Sequence, residues 1–132
     1  MTNTLVQIIV ASHGELARAL VSTAELIAGV QTDVRYLSLM PGDDVQAFQS
    51  HLEEIIGPER PALILVDMLG GTPWNVALAV TAQNPRVRVV SGANLPILLE
   101  VAFSHQKMSI DQLAALAQET GAQSAQAGPG RG

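Results

Sequence analysis

Residues 5–20 read LVQIIVASHGELARAL, and the change of pattern inside them decides the fold. Leu5 to Ala11 is a nearly unbroken apolar run rich in Val and Ile, interrupted only by Gln7. A strand covered on both faces reads this way. From Gly14 the spacing becomes helical, with Leu16, Leu20, Ala24 and Ile27 at i, i+4, i+8 and i+11 on one stripe and Gly29 placed to end it. His13 stands at the junction.

The same layout recurs at residues 62–80, ALILVDMLGGTPWNVALAV. Ala62 to Asp67 is a strand, and Thr72 followed by Pro73 predicts a helix start, with a hydroxyl at the N-cap and proline at the first helical position. That helix runs to about Gln83, where Asn84-Pro85 stops it. Between the two units lie a strand, Val34 to Leu39, and the turn MPGDD (40–44). Asp43 of that turn is placed to cap a helix carrying Val45, Phe48, Leu52 and Ile55 on one face.

VRVVS (87–91) is a fourth strand. Asn94 then caps a helix that continues through Phe103. Ser109 and Gln112 have capping-box spacing before a last helix, Ile110 to Glu119, closed by Gly121. Four short apolar strands alternating with helices predict βαβ units. The expected fold is a single doubly wound α/β sandwich of three layers, with a mainly parallel four-stranded sheet. Residues 1–121 form the domain, and the small, polar 122–132 (AQSAQAGPGRG) form a flexible tail.

A chain of 132 residues has room for one such core and is well short of the roughly 250 residues of a TIM barrel. Apolar residues make up 48% and charged residues only 14%, a composition that argues against disorder. The net charge is −5 with Lys and Arg scattered, so a nucleic-acid partner is not expected. The chain has no cysteine, which excludes disulfide and thiol chemistry and fits a reducing compartment. The amino terminus has no signal-peptide pattern, and no apolar run approaches the ~20 residues that cross a bilayer. A cytoplasmic protein is expected.

In open parallel sheets, ligands bind outside the carboxyl ends of the strands, near the point where strand order reverses. His13 follows the carboxyl end of the first strand, and Asp67 ends the third. If those strands are neighbours, as in the flavodoxin-like order, both side chains emerge into one crevice. Each precedes a helix N-terminus, whose free N–H groups favour an anion. A carboxylate on one imidazole nitrogen fixes the tautomer and leaves the other lone pair free to attack phosphorus. The expected phosphate-binding set is Ser12, Gly14, Gly70, Gly71 and Thr72.

The plainer alternatives stand beside this reading. A histidine after a strand is more often a turn or capping residue than a catalyst, and GGTP alone is a loop-to-helix junction without the lysine of a P-loop. His51 reads as a solvated helix-face residue and His105 as an ordinary loop residue. Neither has a partner at metal-ligand spacing, so no metal or other cofactor is assigned. Trp74 reads as packing or interface, with a partner contact left open. Glu100, in PILLEVAF, reads as the exposed face of a helix.

Four motifs in order, IIVASHGELARAL (8–20), MPGDD (40–44), LVDMLGGTPWNVA (65–77) and SGANLPILLE (91–100), give the chain a resemblance over about residues 4–121. It resembles the IIA component of the mannose-family sugar phosphotransferase system. The resemblance implies that His13 takes a phosphoryl group on Nε2 from phospho-HPr and passes it to the IIB component. It also implies that Asp67 hydrogen-bonds the histidine, that Thr72 contacts phosphate, and that the first strand is central.

The membrane would be involved only indirectly, through the IIC and IID transporter components. The family often forms a homodimer by exchanging a C-terminal strand. AQSAQA (122–127) has almost no strand former, so that route is not expected here, and a homodimer by another route stays open. A free-standing IIA that meets IIB by diffusion is expected. Dihydroxyacetone kinase systems use a related phosphocarrier, but LGGTPWN favours the sugar-transport type. A regulatory module whose phosphorylation is read by a partner would use the same His13. A hydrolase is least favoured, because no serine sits in a nucleophile elbow.

Overall fold

The computed structural model describes residues 5–129. It alternates strands and helices in the order β1 (Gln7–His13), α1 (Leu16–Ala28), β2 (Val34–Leu39), α2 (Val45–Ile56), β3 (Ala62–Val66), α3 (Thr72–Gln83), β4 (Val87–Val90), α4 (Leu95–Ser104) and α5 (Ile110–Ser124). The strands form one wholly parallel sheet in the order β2-β1-β3-β4. β1 and β3 are therefore inner neighbours, and the order reverses beside β1.

The two-residue period of a strand sends alternate side chains of β1 into opposite layers. Ile8 and Val10 join Leu63 and Leu65 under α1, α4 and α5, where Ala17, Val21, Leu98, Val101 and Leu113 meet them. Ile9 and Ala11 join Ile64 and Val66 under α2 and α3, against Phe48, Leu52, Val76 and Ala77. Truncating a fully buried side chain such as Leu52 or Ile64 to alanine typically costs about 2–5 kcal/mol. The one polar residue of the apolar run is accommodated. Gln7 is buried, and its Nε2 donates to the Ile56 carbonyl at 2.6 Å, so no donor is stranded.

Several helix details differ from the sequence expectation. The buried face of α1 is Ala17, Val21 and Ala24, with Leu20 packed at its margin. Leu16 and Ile27, expected on the inward stripe, are 45% and 61% exposed. The small side chains at 17 and 24 let the helix lie close to the sheet, and proximity outweighs the larger apolar residues one position away. Asp44, not Asp43, caps α2 by accepting from the Ala47 N–H. Asp43 closes the preceding turn by accepting from the Met40 N–H at 2.8 Å. Ile56, rather than Ile55, completes the buried stripe of Phe48 and Leu52, and Val45 is exposed.

α5 has the expected capping box at Ser109 and Gln112 but continues past Gly121 to Ser124. Gly121 lies inside the helix for reasons of space, because a Cβ there would stand 2.9 Å from Ile97 Cδ1. Ser124 then anchors the last turn: its hydroxyl donates to the Gly121 carbonyl and accepts from Asn94 Nδ2. No strand forms after α5 among the described residues, and none of their helices is long and apolar enough to cross a membrane.

Candidate functional site

His13 is the last residue of β1, and Asp67 directly follows Val66, the last of β3. Because Ala11 is level with Val66, the two side chains leave adjacent strands at nearly the same height. They meet at 2.7 Å, His13 Nδ1 to Asp67 Oδ2. The same oxygen accepts the His13 backbone N–H at 2.9 Å, and Oδ1 accepts the Met68 N–H at 2.9 Å. The carboxylate is thus fixed by the backbone before it touches the ring.

Burial alone would raise the Asp67 carboxyl. The hydrogen bonds and charge that His13 supplies, with the Met68 N–H, outweigh that and hold it below the ordinary carboxylate value. An ionised Asp67 makes Nδ1 the donor and leaves the Nε2 lone pair free. The imidazole is 47% exposed against 11% for Asp67, so the carboxylate is shielded while the ring faces solvent.

The loop after β3 brings a helix N-terminus to the ring. Gly70 takes φ +84°, a conformation that glycine alone adopts readily. Gly71 is the N-cap of α3, with Thr72 and Pro73 opening the helix. Thr72 was expected at the cap itself. It lies one residue further in, and no side-chain hydrogen bond caps the helix. The Thr72 and Trp74 N–H groups fall in the first turn, where no intrahelical carbonyl reaches them. The Gly71 backbone is close enough that a Cβ there would stand 2.9 Å from His13 Cε1 and 3.7 Å from Nε2.

Two residues expected to bind phosphate serve the backbone instead. Ser12 is fully buried; its hydroxyl accepts the Ala17 N–H at 2.7 Å and donates to the His13 carbonyl. It caps α1 from outside the helix and does not face the crevice. Gly14, at φ +57°, gives its N–H to the Leu39 carbonyl at 2.8 Å. Its contribution is the tight exit from β1 that starts α1 beside the ring.

A feature that sequence reasoning missed is the rim. Leu16, Met40, Met68 and Leu69, all at the carboxyl end of the sheet, are 45%, 38%, 56% and 67% exposed. These four bare apolar residues share the end of the sheet on which the His13 ring is exposed. The signal was present in MLGG, where two apolar residues precede a glycine turn with no core position to fill.

The remaining candidates separate cleanly. His51 and Glu100 are exposed on helices, as expected. Trp74 packs against the layer under α2 and α3. His105 is not an ordinary loop residue: it is buried at the end of α4, with Nδ1 2.7 Å from the Ala102 carbonyl and Nε2 3.2 Å from Asp33 Oδ2. Asp33 is 72 residues away in sequence, a distance no local pattern bridges. Among the described residues no three His, Cys, Asp or Glu side chains are grouped to hold a metal ion.

The chain is thus a doubly wound α/β domain whose sheet end carries an exposed imidazole, oriented by a carboxylate beside a helix N-terminus. Comparison with known proteins gives the family. The family model described as the phosphotransferase system (PTS) fructose IIA component, EIIA-man, matches residues 7–118. The chain belongs to this family.

It is 30% identical over 111 residues to the PTS sorbose-specific EIIA component of Klebsiella pneumoniae, covering 83% of this chain and 82% of that protein. It is 31% identical over 121 residues to the PTS mannose-specific EIIAB component of Escherichia coli K12, covering 88% of this chain but only 37% of that longer protein. Among solved structures, the mannose/sorbose-specific IIA subunit from Enterococcus faecalis superposes with a TM-score of 0.84 at 31% identity, over 92% of each chain.

Proposed function

We propose that this chain is a phosphocarrier in which His13 takes a phosphoryl group from phospho-HPr and passes it to a IIB component. The observation that carries this reading is the His13 imidazole itself, tied to Asp67 through Nδ1 at 2.7 Å with Nε2 left open at the surface.

In the forward step the Nε2 lone pair attacks phosphorus. A P–N bond forms, the bond from phosphorus to the donor breaks, and the donor atom leaves with the electron pair. Nδ1 keeps its proton throughout. Asp67 stabilises the positive charge that grows on the ring, as a carboxylate does beside any imidazole that becomes cationic. The phosphoryl oxygens face the first-turn N–H groups of α3 and the hydroxyl of Thr72, which suit spread negative charge. Transfer to IIB is the same step in reverse, onto the acceptor's nucleophile.

The apolar rim of Leu16, Met40, Met68 and Leu69 fits protein partners, which must bury the phosphorus from water during exchange. Work at the cytoplasmic face of a IIC/IID transporter follows from these partners, with the sugar recognised by the transporter and not by this chain.

The test is incubation of the full chain with phosphoenolpyruvate, enzyme I and HPr, followed by intact mass and acid treatment. A gain of one acid-labile phosphate is expected, lost again when the cognate IIB is added. Retention of the phosphate in the presence of a competent IIB would instead favour the regulatory module. No gain, with an HPr shown to label another acceptor, would remove the carrier reading.

A further inference from the structure

The glycines around the site answer different needs. Gly14 and Gly70 have φ of +57° and +84°, where any other residue is strained, and a Cβ on either would meet nothing within 4 Å. Gly71 is the reverse. Its φ of −77° and ψ of 172° are open to every L-residue, so the backbone does not call for glycine. Space does: a Cβ at 71 would stand 2.9 Å from His13 Cε1 and 3.2 Å from Met68 Cγ.

Of those two neighbours, Met68 can yield. Its side chain is flexible and 56% exposed, so a methyl group could push it aside at little cost. The imidazole cannot yield without consequence. Its Nδ1, bonded to the Cε1 that the methyl group would meet, is held by Asp67, and the carboxylate is itself pinned by the His13 and Met68 backbone N–H groups. A ring displaced by a few tenths of an ångström or more must lengthen or bend the Nδ1 to Oδ2 hydrogen bond, and its strength falls steeply with misalignment.

We propose that Gly71 is a positioning residue for His13. The missing side chain lets the imidazole lie against the opening of α3, so that one rotamer satisfies Asp67 through Nδ1 and sets Nε2 at the helix N-terminus. Residue 71 and Asp67 set the ring at adjacent atoms, residue 71 by leaving room at Cε1 and Asp67 by bonding Nδ1. The catalytic half of this inference rests on the phosphocarrier reading; the positional half does not.

Gly71→Ala tests it, because alanine suits the backbone there and adds only the methyl group. The full-length variant is expected to fold with a melting temperature within a few degrees of the parent. Its phosphorylation by phospho-HPr is expected to fall about 10- to 100-fold in kcat, the scale for misplacing a reacting group by a fraction of an ångström to an ångström. The KM for phospho-HPr should change little.

Nitrogen-15 and proton NMR of His13, without any donor, reads the position directly. The Nδ1-bound proton that Asp67 holds should shift or broaden in the variant while His105 signals stay put. The same substitution in a Met68→Ala background removes the second contact and should leave the NMR change in place. An unchanged Nδ1 proton in both backgrounds overturns the proposal. So does a rate loss accompanied only by a lower melting temperature. If the parent itself is not phosphorylated, the phosphocarrier reading fails, and the NMR comparison still decides whether Gly71 positions the ring.

Discussion

Two histidines in this molecule each sit within hydrogen-bond distance of an aspartate, at different places in the fold. His13 meets Asp67 where β1 and β3 end, and His105 meets Asp33 where α4 ends and the chain enters β2. In the first, one nitrogen is bound and the ring is 47% exposed. In the second, Nδ1 faces the Ala102 carbonyl, Nε2 faces Asp33, and the residue is 3% exposed. Asp33 also accepts from Arg60, which reaches on to the Leu5 carbonyl. The same two side-chain types therefore give an exposed ring with an open nitrogen in one place and a buried fastening in the other. What separates them is whether a ring nitrogen is left free, and the backbone around each ring decides that.

Replacing each histidine by alanine gives the sharpest contrast. His13→Ala should abolish phosphate incorporation and leave the melting temperature nearly unchanged, since the ring contributes little core. His105→Ala should label normally yet lose on the order of 2 kcal/mol of stability, because it empties a buried position and strips a partner from the buried Ala102 carbonyl and from the half-buried Asp33. Intact mass and thermal unfolding on both variants check this. Labelling of His13→Ala, or failure of a folded His105→Ala to label, would break the contrast.

The aspartates sharpen it further. Asp67→Asn keeps a hydrogen-bonding side chain but removes the charge that orients and stabilises the ring, and transfer should slow by about 100-fold or more. Asp33→Asn should leave the transfer rate alone and lower the melting temperature by several degrees, as Arg60 loses its ion pair. Single-turnover labelling kinetics beside calorimetry would separate the two effects.

Acid should strike both aspartates in the same direction. Burial opposes ionisation at Asp33, but hydrogen bonds and charge from Arg60 and His105 prevail, and its pKa is lowered, as is that of Asp67. A lowered folded-state pKa means that the unfolded chain binds protons first. The stabilisation is therefore fully present above the unfolded value of about 3.9 and is lost as pH falls through the folded values. Unfolding free energy measured between about pH 5 and 2 should decline in the parent and decline less steeply in Asp33→Asn. Equal slopes would show that Asp33 does not carry this dependence.

The smallest expected effect is at Ser12. Ser12→Ala removes the hydroxyl that caps α1 at Ala17 and holds the His13 carbonyl. A loss of about 1 kcal/mol is expected in denaturant unfolding, with phosphate incorporation still complete. A variant that folds well but cannot be labelled would restore Ser12 to the phosphate site.

Much of the fold and the centre of the site were legible in sequence. The unbroken apolar run of IIVA and the spacing of roughly four after Gly14 marked strand and helix. The sequence reading brought His13 and Asp67 together only on the condition of a flavodoxin-like order, and the observed order β2-β1-β3-β4 meets that condition. Asn94 and Ser109 capped the helices expected of them, because capping depends on residues only three apart. Reading failed where two adjacent residues could each play a part: Asp43 against Asp44, Thr72 against Gly71, and the stripe of α1. Those choices turn on a rotation of one residue around a helix or turn, and the packing partner settles them.

The sequence by itself determined the alternation of elements and the placing of a histidine and an aspartate at strand ends. Local spacing and burial pattern suffice for these, since both are written in neighbouring residues. Only the tertiary structure decided which ring nitrogen stays free, that Ser12 turns inward, that His105 reaches Asp33, and that residue 71 has room for no side chain. Apart from Ser12, whose partners lie one and five residues away, each of these depends on atoms brought within about 3 Å by segments far apart in the chain, and packing at that range has no signature in the order of residues.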